Sequence, residues 1–512
     1  MDSHTIQLAA AGVPLVYLAA ALISRRPGSE RAAIGFAASA LGIAILSAVL
    51  LILTPAAAAP GLVLLDPFSA TVLTLITFVG FIVIKYSLTY LNGDPRRSQF
   101  ILWMFLTLTA VSALVIAGDL LVLVMAWIAT SLALQKLLLF RTERTRAKVA
   151  ARKKFIVARL GDAALIGAII VMINAFETTS ISGILDQARI MKLSGADLDI
   201  LAIAPFLLVL AAILKSGQFP THGWLGEVME TPTPVSALLH AGIINAGGFL
   251  IIRFADVMLL SGSAMHTLAV IGGFTALFGS IVMLTQTSIK VSLAYSTVAQ
   301  MGFMLLQCGL GVFSAATLHL VAHSLYKAHA FLSSGRAVHL VRISRPSMTH
   351  KAQEALFAVA SALGLYFLIS VPFGGMAGKE PAILTMGAIY ITGLSIYLSS
   401  LLATPGSRLL GLGLAGLATA FYLLLQNGFA ALLAGAVPQP PAADAIDLGL
   451  MALAVASFAL VAFAQVFSLP STDRARSFYV HAAQGFYANA YFNRLIGALR
   501  IDQTSKISRT VS

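Results

Sequence analysis

The sequence predicts an all-α polytopic membrane protein of about 15 transmembrane helices, on three observations. The 512 residues are 59% hydrophobic and only 10% charged, with a mean hydropathy of +0.91, a balance foreign to soluble domains. Apolar windows of roughly 18–25 residues, enough to cross ~30 Å of hydrocarbon, recur along the chain. Lys and Arg gather in the short loops between alternate windows. The net charge of +13 is therefore an orientation signal, not a nucleic-acid footprint. The one cysteine, Cys308, lies in an apolar run. This excludes disulfides within the chain and argues against a cysteine-held zinc or iron–sulfur site.

The first window, residues 6–23, follows Met-Asp-Ser-His without a basic n-region or a small-residue cleavage site, and reads as a retained span. Further windows fall near 32–53, 68–90, 100–117, 119–140 and 149–173. A broken one covers 200–230, followed by 235–260, 266–285, 288–311 and 315–340. A second broken window, 354–384, precedes 386–403, 408–433 and 447–467.

Basic residues follow the first window (Arg25, Arg26, Arg31), the third (Arg96, Arg97) and the fifth (residues 141–154). Lys290 opens the tenth, residues 336–351 follow the eleventh, Arg408 the thirteenth, and Arg474 and Arg476 the last. The opposite loops, 55–60, 117–119 and 435–447, carry almost none, and 176–199 has only Arg189 and Lys192 against several acids. The positive-inside rule then puts the N-terminus outside and the C-terminus in the cytoplasm of a bacterial inner (plasma) membrane. Beyond the last window, residues 477–500 carry aromatics and aliphatics that suit an interfacial helix or a docking surface.

Two interruptions carry the chemistry. Lys215 ends an apolar run and is followed by Ser-Gly and Pro220; Lys379 and Glu380 follow Pro372-Phe-Gly-Gly-Met-Ala-Gly. Broken helices with intramembrane lysines in corresponding halves point to an ion pathway. The bland alternatives are a structural salt bridge or snorkelling to an interface. His319, His323 and Lys327 are spaced i, i+4, i+8 along one face of the eleventh span. Such a stripe faces the bundle interior, where histidine can pass protons through water or simply bond neighbouring helices. No Asp or Glu shares the stripe, so no metal site is expected there.

His240, after Thr-Pro-Thr-Pro, is suited to bridging the two lysines through water. Arg159 and Asp162 form an i, i+3 pair at the edge of the sixth span. Glu227 and Glu230 offer Lys215 a carboxylate partner or a cytoplasmic inlet, and Lys290 marks the cytoplasmic mouth. Gly411-Leu-Gly413-Leu-Ala-Gly416 matches a dinucleotide glycine pattern but lies in an apolar span without βαβ context, so it reads as a close helix-packing surface.

Residues 215–252, Ser288-Ile-Lys-Val-Ser-Leu-Ala-Tyr-Ser-Thr-Val-Ala-Gln-Met-Gly302 and 319–339 resemble the antiporter-like subunits of respiratory complex I and the Mrp antiporters. Asp66-Pro67, Tyr86-Ser87 and Arg159-Leu-Gly-Asp162 fit as well. The resemblance implies two inverted five-helix repeats, each with a broken helix, and a hydrated row of lysines and histidines. It puts Lys215, His240, His323, Lys327 and Lys379 on the conduction positions. N-terminal helices would occupy 1–117, the repeats 118–260 and 261–403, further helices 404–470, and a cytoplasmic amphipathic tail 471–512.

Two departures stand out. Ala126-Trp127-Ile128-Ala129 has isoleucine where that family usually has a glutamate paired with the first broken-helix lysine, and no long lateral helix follows the last span. The end of the chain, with Phe478-Tyr-Val-His-Ala-Ala-Gln-Gly-Phe-Tyr487, is more similar to the DabB branch, the membrane subunits of the DabA–DabB inorganic carbon system. That likeness implies a cation-conducting subunit, not itself an enzyme and without a cofactor of its own. It also implies a cytoplasmic, carbonic-anhydrase-like DabA partner that holds zinc. The alternatives are a proton-pumping subunit of a complex I, Mrp or membrane hydrogenase complex, and a non-conducting membrane anchor for a soluble enzyme.

Overall fold

The computed structural model describes residues 3–26, 30–54, 61–141, 145–194, 203–228, 231–340, 352–402, 408–466 and 473–497. The chain begins with α1 (Ser3–Ile23), α2 (Glu30–Leu53), α3 (Pro67–Tyr90), α4 (Arg97–Val115), α5 (Leu120–Leu138), α6 (Thr145–Phe176) and the short α7 (Ile181–Ser194). Then come α8 (Ile203–Lys215), α9 (Gly223–Glu227), α10 (Thr233–Ala241), α11 (Ala246–Arg253) and α12 (Ala255–Met258). The second half holds α13 (Gly262–Thr285), α14 (Ile289–Gly309), α15 (Phe313–Leu340), α16 (Ala352–Ser370), α17 (Pro381–Leu402), α18 (Arg408–Leu432) and α19 (Ala445–Val466). A bent pair, α20 (Asp473–Ala483) and α21 (Ala488–Gly497), follows.

Thirteen described helical segments are long and apolar enough to cross a membrane. Two of the fifteen windows fall outside that set for physical reasons. Helix α8 is apolar but stops after 13 residues, and α15 dilutes its 28 residues with the histidine and lysine stripe.

Local chemistry sets the helix starts. Asp66 accepts from the Ser69 amide, Ser69 returns its hydroxyl oxygen to the Asp66 amide, and Pro67 supplies a first residue that needs no donor. Asp119 caps α5 by accepting from the amides of Leu121 and Val122. Contacts gather the basic loops at one end of the bundle, where Arg96 donates to the Phe140 carbonyl and Arg141 pairs with Asp94. The opposite end holds the bridges Val63–Ala117 and Asp119–Ser180 and the His266–Asp447 pair.

Helices α13 and α14 meet backbone to backbone along a glycine seam. A Cβ on Gly272 would lie 2.5 Å from the Leu306 amide, and one on Gly302 2.5 Å from the Ala276 amide. Gly279 and Gly309, each seven residues further along, meet Ala299 and Ala269 just as closely. The glycine pattern singled out on α18 is looser. Gly411 packs on Leu401 and Gly416 on Ile369, while Gly413 faces open space.

Three regions differ from the sequence expectation. Residues 181–194, expected as loop, form α7 because Ile181, Ile184, Leu185 and Ala188 recur at helical spacing and are buried. The basic stretch 141–154 ends inside α6, with Lys153 and Lys154 both buried. The second interruption joins two complete helices instead of splitting one. Helix α16 has 19 residues and α17 has 22, about 28 and 33 Å at 1.5 Å per residue. They pack antiparallel, with Tyr366 against Gly387 and Tyr390, and Ala358 and Ala362 sharing a cluster with Leu394 and Leu398.

Candidate functional site

Helix α8 ends at Lys215 because Gly217 takes a left-handed φ of +61° and Pro220 follows. Thirteen residues rise about 20 Å, so the end lies inside the membrane thickness. Lys215 is 7% exposed. Its Nζ donates to Ser131 Oγ at 2.8 Å and to the Trp127 carbonyl at 3.3 Å, and lies 4.1 Å from the Trp127 ring centroid. The Ser131 carbonyl accepts from Lys154 Nζ at 2.9 Å. One serine thus stands between two buried ammonium groups.

Two like charges there need an anion. Helix α6 supplies it: Asp162 is 5% exposed, pairs with Arg159 at 2.6 Å and lies within electrostatic reach of Lys215 and Lys154. Close approach of α6 to α8 makes this possible, since a Cβ on Gly161 would be 3.4 Å from that of Leu214. Ile128, in contrast, is half-buried against the apolar core. The carboxylate missing from α5 is present on α6.

The row continues through α10, α14 and α15. Fully buried His240 shares a hydrogen bond of 2.9 Å with Thr297 and stacks on Phe331 at 4.4 Å. Lys327, also fully buried, donates to the Leu293 carbonyl at 3.0 Å. His323 lies within electrostatic reach of His240, Lys327 and His319, and the His319 and His323 ring centroids are 6.1 Å apart. The stripe on α15 therefore meets His240, as its spacing implies.

A cavity of about 20 Å³ lies among Lys154, Lys215, Trp224 and Leu239, and another of about 20 Å³ beside Thr130, Asn245 and Ser324. Each has room for one water, which needs roughly 10–15 Å³. At the far end of the row a cavity of about 560 Å³ opens between α14, α15, α17 and α18, lined by Gln300, Gln307, His319, His323, Tyr390 and Gln426.

The other singled-out residues stand apart. Lys379 is half-buried and Glu380 exposed, in the connection between α16 and α17. Ala382 and Met386, just beyond, pack with Leu310 and Val312 at the α14–α15 turn. Lys379 therefore sits near the end of the bundle opposite Lys290, not in the central row. Lys290 is half-buried at the start of α14. Glu230 and residues 341–351 lie outside the described residues. Glu227 does not reach Lys215 directly. It pairs with Lys153 and accepts from Asn489 Nδ2 at 3.0 Å. Among the described residues, the one cluster with metal-ligand geometry is His266, Asp444 and Asp447, at the opposite end, where the two aspartates cap each other's amides.

Sequence reasoning missed Lys153, Lys154, Ser131 and His222. The lysines were counted with a basic loop, although Lys154, Ala158 and Asp162 share one face at i, i+4, i+8. His222 lies in the first break with 2% exposure, its ring 4.8 Å from that of Phe278.

Residues 117–371 match the family model described as NADH:quinone oxidoreductase/Mrp antiporter, TM, and residues 61–101 match that of the NADH-ubiquinone oxidoreductase (complex I) chain 5 N-terminus. The chain is 37% identical to a probable inorganic carbon transporter subunit DabB2 of Halothiobacillus neapolitanus, over 96% of this chain and 94% of that one. It is 35% identical to NADH-quinone oxidoreductase subunit L of Mycobacterium tuberculosis, over 70% of this chain and 55% of that one. In fold it is similar to a chain of the Mrp complex from Dietzia sp., with a TM-score of 0.64 at 24% identity, covering 98% of this chain and 61% of that one. The chain belongs to the antiporter-like membrane subunit family of NADH:quinone oxidoreductases and Mrp antiporters, on the branch that holds the DabB inorganic carbon transporter subunits.

Proposed function

We propose that this chain conducts protons, or sodium ions, inward across a bacterial inner membrane, and that the influx drives inorganic carbon accumulation by a cytoplasmic partner. The observation that carries the reading is the row Lys154–Ser131–Lys215 and His240–Lys327–His323–His319, buried in all but His319, which ends at a large, mainly apolar cavity that His319 and His323 help to line. Burying a row of six titratable groups is costly unless they are used. A plain anchor has no need of them.

The partner is a DabA-like, zinc-holding, carbonic-anhydrase-like subunit, on which CO2 hydration takes place. It docks on the basic, cytoplasmic end, where α20 and α21 expose Phe478, Tyr479, Val480 and Tyr491. The driving force is adequate. One charge falling through roughly 150 mV releases about 3.5 kcal/mol, equivalent to a roughly 300-fold displacement from equilibrium.

The test combines purification with transport. The tagged chain should co-purify with a zinc protein, and cells carrying both should accumulate labelled inorganic carbon in a protonophore-sensitive way. Lys215→Ala and Asp162→Asn should each cut accumulation about 100-fold, the scale of losing one preorganised electrostatic contact, while the complex still assembles. Full accumulation by Lys215→Ala in an assembled complex would refute conduction and leave the anchor. Co-purification with quinone- or hydrogenase-type subunits would move the chain to a redox-driven complex.

A further inference from the structure

Helices α20 and α21 fold back onto the mouth of the first break. Asn489 rests on Gly223, where a Cβ would fall 3.3 Å from its own Cβ. Its amide nitrogen donates to Glu227 Oε1 at 3.0 Å, and its oxygen accepts from Lys153 Nζ at 3.5 Å. Further along, Gln286 donates to the Ala483 carbonyl at 3.1 Å, and the Phe486 ring lies 6.2 Å from that of Phe278.

Beneath this cover lies a group of buried polar atoms without a hydrogen-bond partner among the described residues. They are Gln218 Oε1, both ring nitrogens of His222, Trp224 Nε1 and Glu227 Oε2. Gln218 is 0% and His222 2% exposed. Left dry, each such group has lost its water without gaining a partner, which is unfavourable. All of them lie in the first break, between Lys215 and Glu227.

The cover is itself held under strain. Gly485, Phe486 and Tyr487 take consecutive left-handed φ values of 59°, 49° and 59°. Bulky side chains are disfavoured in that region, and the conformation persists only while its surroundings hold it.

We infer that α20 and α21 form a lid over the first broken helix, latched by Asn489 on the Lys153–Glu227 pair, and that it lifts to let a cation reach the unpartnered polar groups of the break and, beyond them, Lys215. The inference rests on the conduction reading above. It adds a gate that the chain carries in its own C-terminal segment.

A reversible lock tests it. In the purified complex, Gly223→Cys with Asn489→Cys puts two thiols near the ~3.8 Å Cβ separation of a disulfide. The native Cys308 is buried and stays in place. In proteoliposomes, oxidation should lower cation flux at least about tenfold, as immobilising a lid does, and reductant should restore it. The parent chain should not respond to either reagent. Equal flux in the oxidised and reduced forms would overturn the lid, as would failure of the pair to cross-link. If the reduced, assembled protein carries no flux, the conduction reading fails. The lid is then judged by labelling Gln218→Cys with a hydrophilic maleimide. Oxidation should slow that labelling about tenfold, and an unchanged rate would overturn the lid by itself.

Discussion

Asp66 and Arg253 meet through two hydrogen bonds, of 2.6 and 3.2 Å, and join the start of α3 to the end of α11. Burial pushes the Asp66 carboxyl upward, but the Arg253 guanidinium and the Ser69 donors outweigh it and hold it below the usual carboxylate range. A depressed folded-state value means that the pair's stabilisation is full above about pH 4, the unfolded range for aspartate. It is lost as the pH falls through the lower folded value. Removing one partner leaves the other charge buried, so Asp66→Asn should cost ~3 kcal/mol at neutral pH. Thermal melts in detergent between pH 7 and pH 3 check both statements. The gap in Tm between parent and variant should narrow as acid is added; a gap that widens would contradict the assignment. The same logic distinguishes the two arginine–aspartate pairs. Arg253 satisfies Asp66 through both oxygens, whereas Asp162 is shared with Arg159 and two lysines.

At the scale of the element, Gly272, Gly279, Gly302 and Gly309 let α13 and α14 touch backbone to backbone. The seven-residue spacing within each pair keeps the glycines on one seam. Gly302→Ala should therefore lower stability by about 1–3 kcal/mol through overpacking. Gly413→Ala, facing open space on α18, should be neutral or slightly stabilising in a helix. Comparing the two melts checks the seam. That seam was legible in principle, since the spacing is in the sequence. The tighter Gly411–Gly416 pattern drew attention instead, because short glycine intervals look denser than a heptad. The first broken helix was legible for a firm reason: a lysine, a glycine and a proline within six residues leave the backbone no continuous helix. The second interruption has the same residue types. Only the packing of Tyr366 on Gly387 and Tyr390 reveals that a complete helix lies on each side. Sequence fixes where backbone breaks, but not whether the chain crosses the membrane before or after the break.

Across the whole molecule, periodicity exposes the half of the row that lies on one helix, whereas Lys215 and Asp162 stand out one at a time, with nothing in the sequence to show that they gather with Ser131 and Lys154. His319, His323 and Lys327 announce themselves at i, i+4, i+8. Ser131, Lys154 and Asp162 come from α5 and α6 and gather about Lys215 on α8, where Gly161 lets α6 approach α8. The same geometry separates the lysines by role. Lys327 is fully buried within the row, about 21 Å along α15 from its start at 1.5 Å per residue. Lys379 stands at the α16–α17 tip, half-buried, beyond the cavity whose α17 wall includes Met386, Ile389 and Tyr390. A charge at the rim is hydrated and screened, so its removal changes the field in the cavity but opens no gap in the row. Lys327→Ala should therefore abolish cation flux, whereas Lys379→Ala should reduce it by about tenfold or less, with the loss growing at low ionic strength. Flux assays on the two variants at low and high salt decide the matter. Equal, salt-independent losses would place Lys379 in the row and require α16 or α17 to open in mid-membrane.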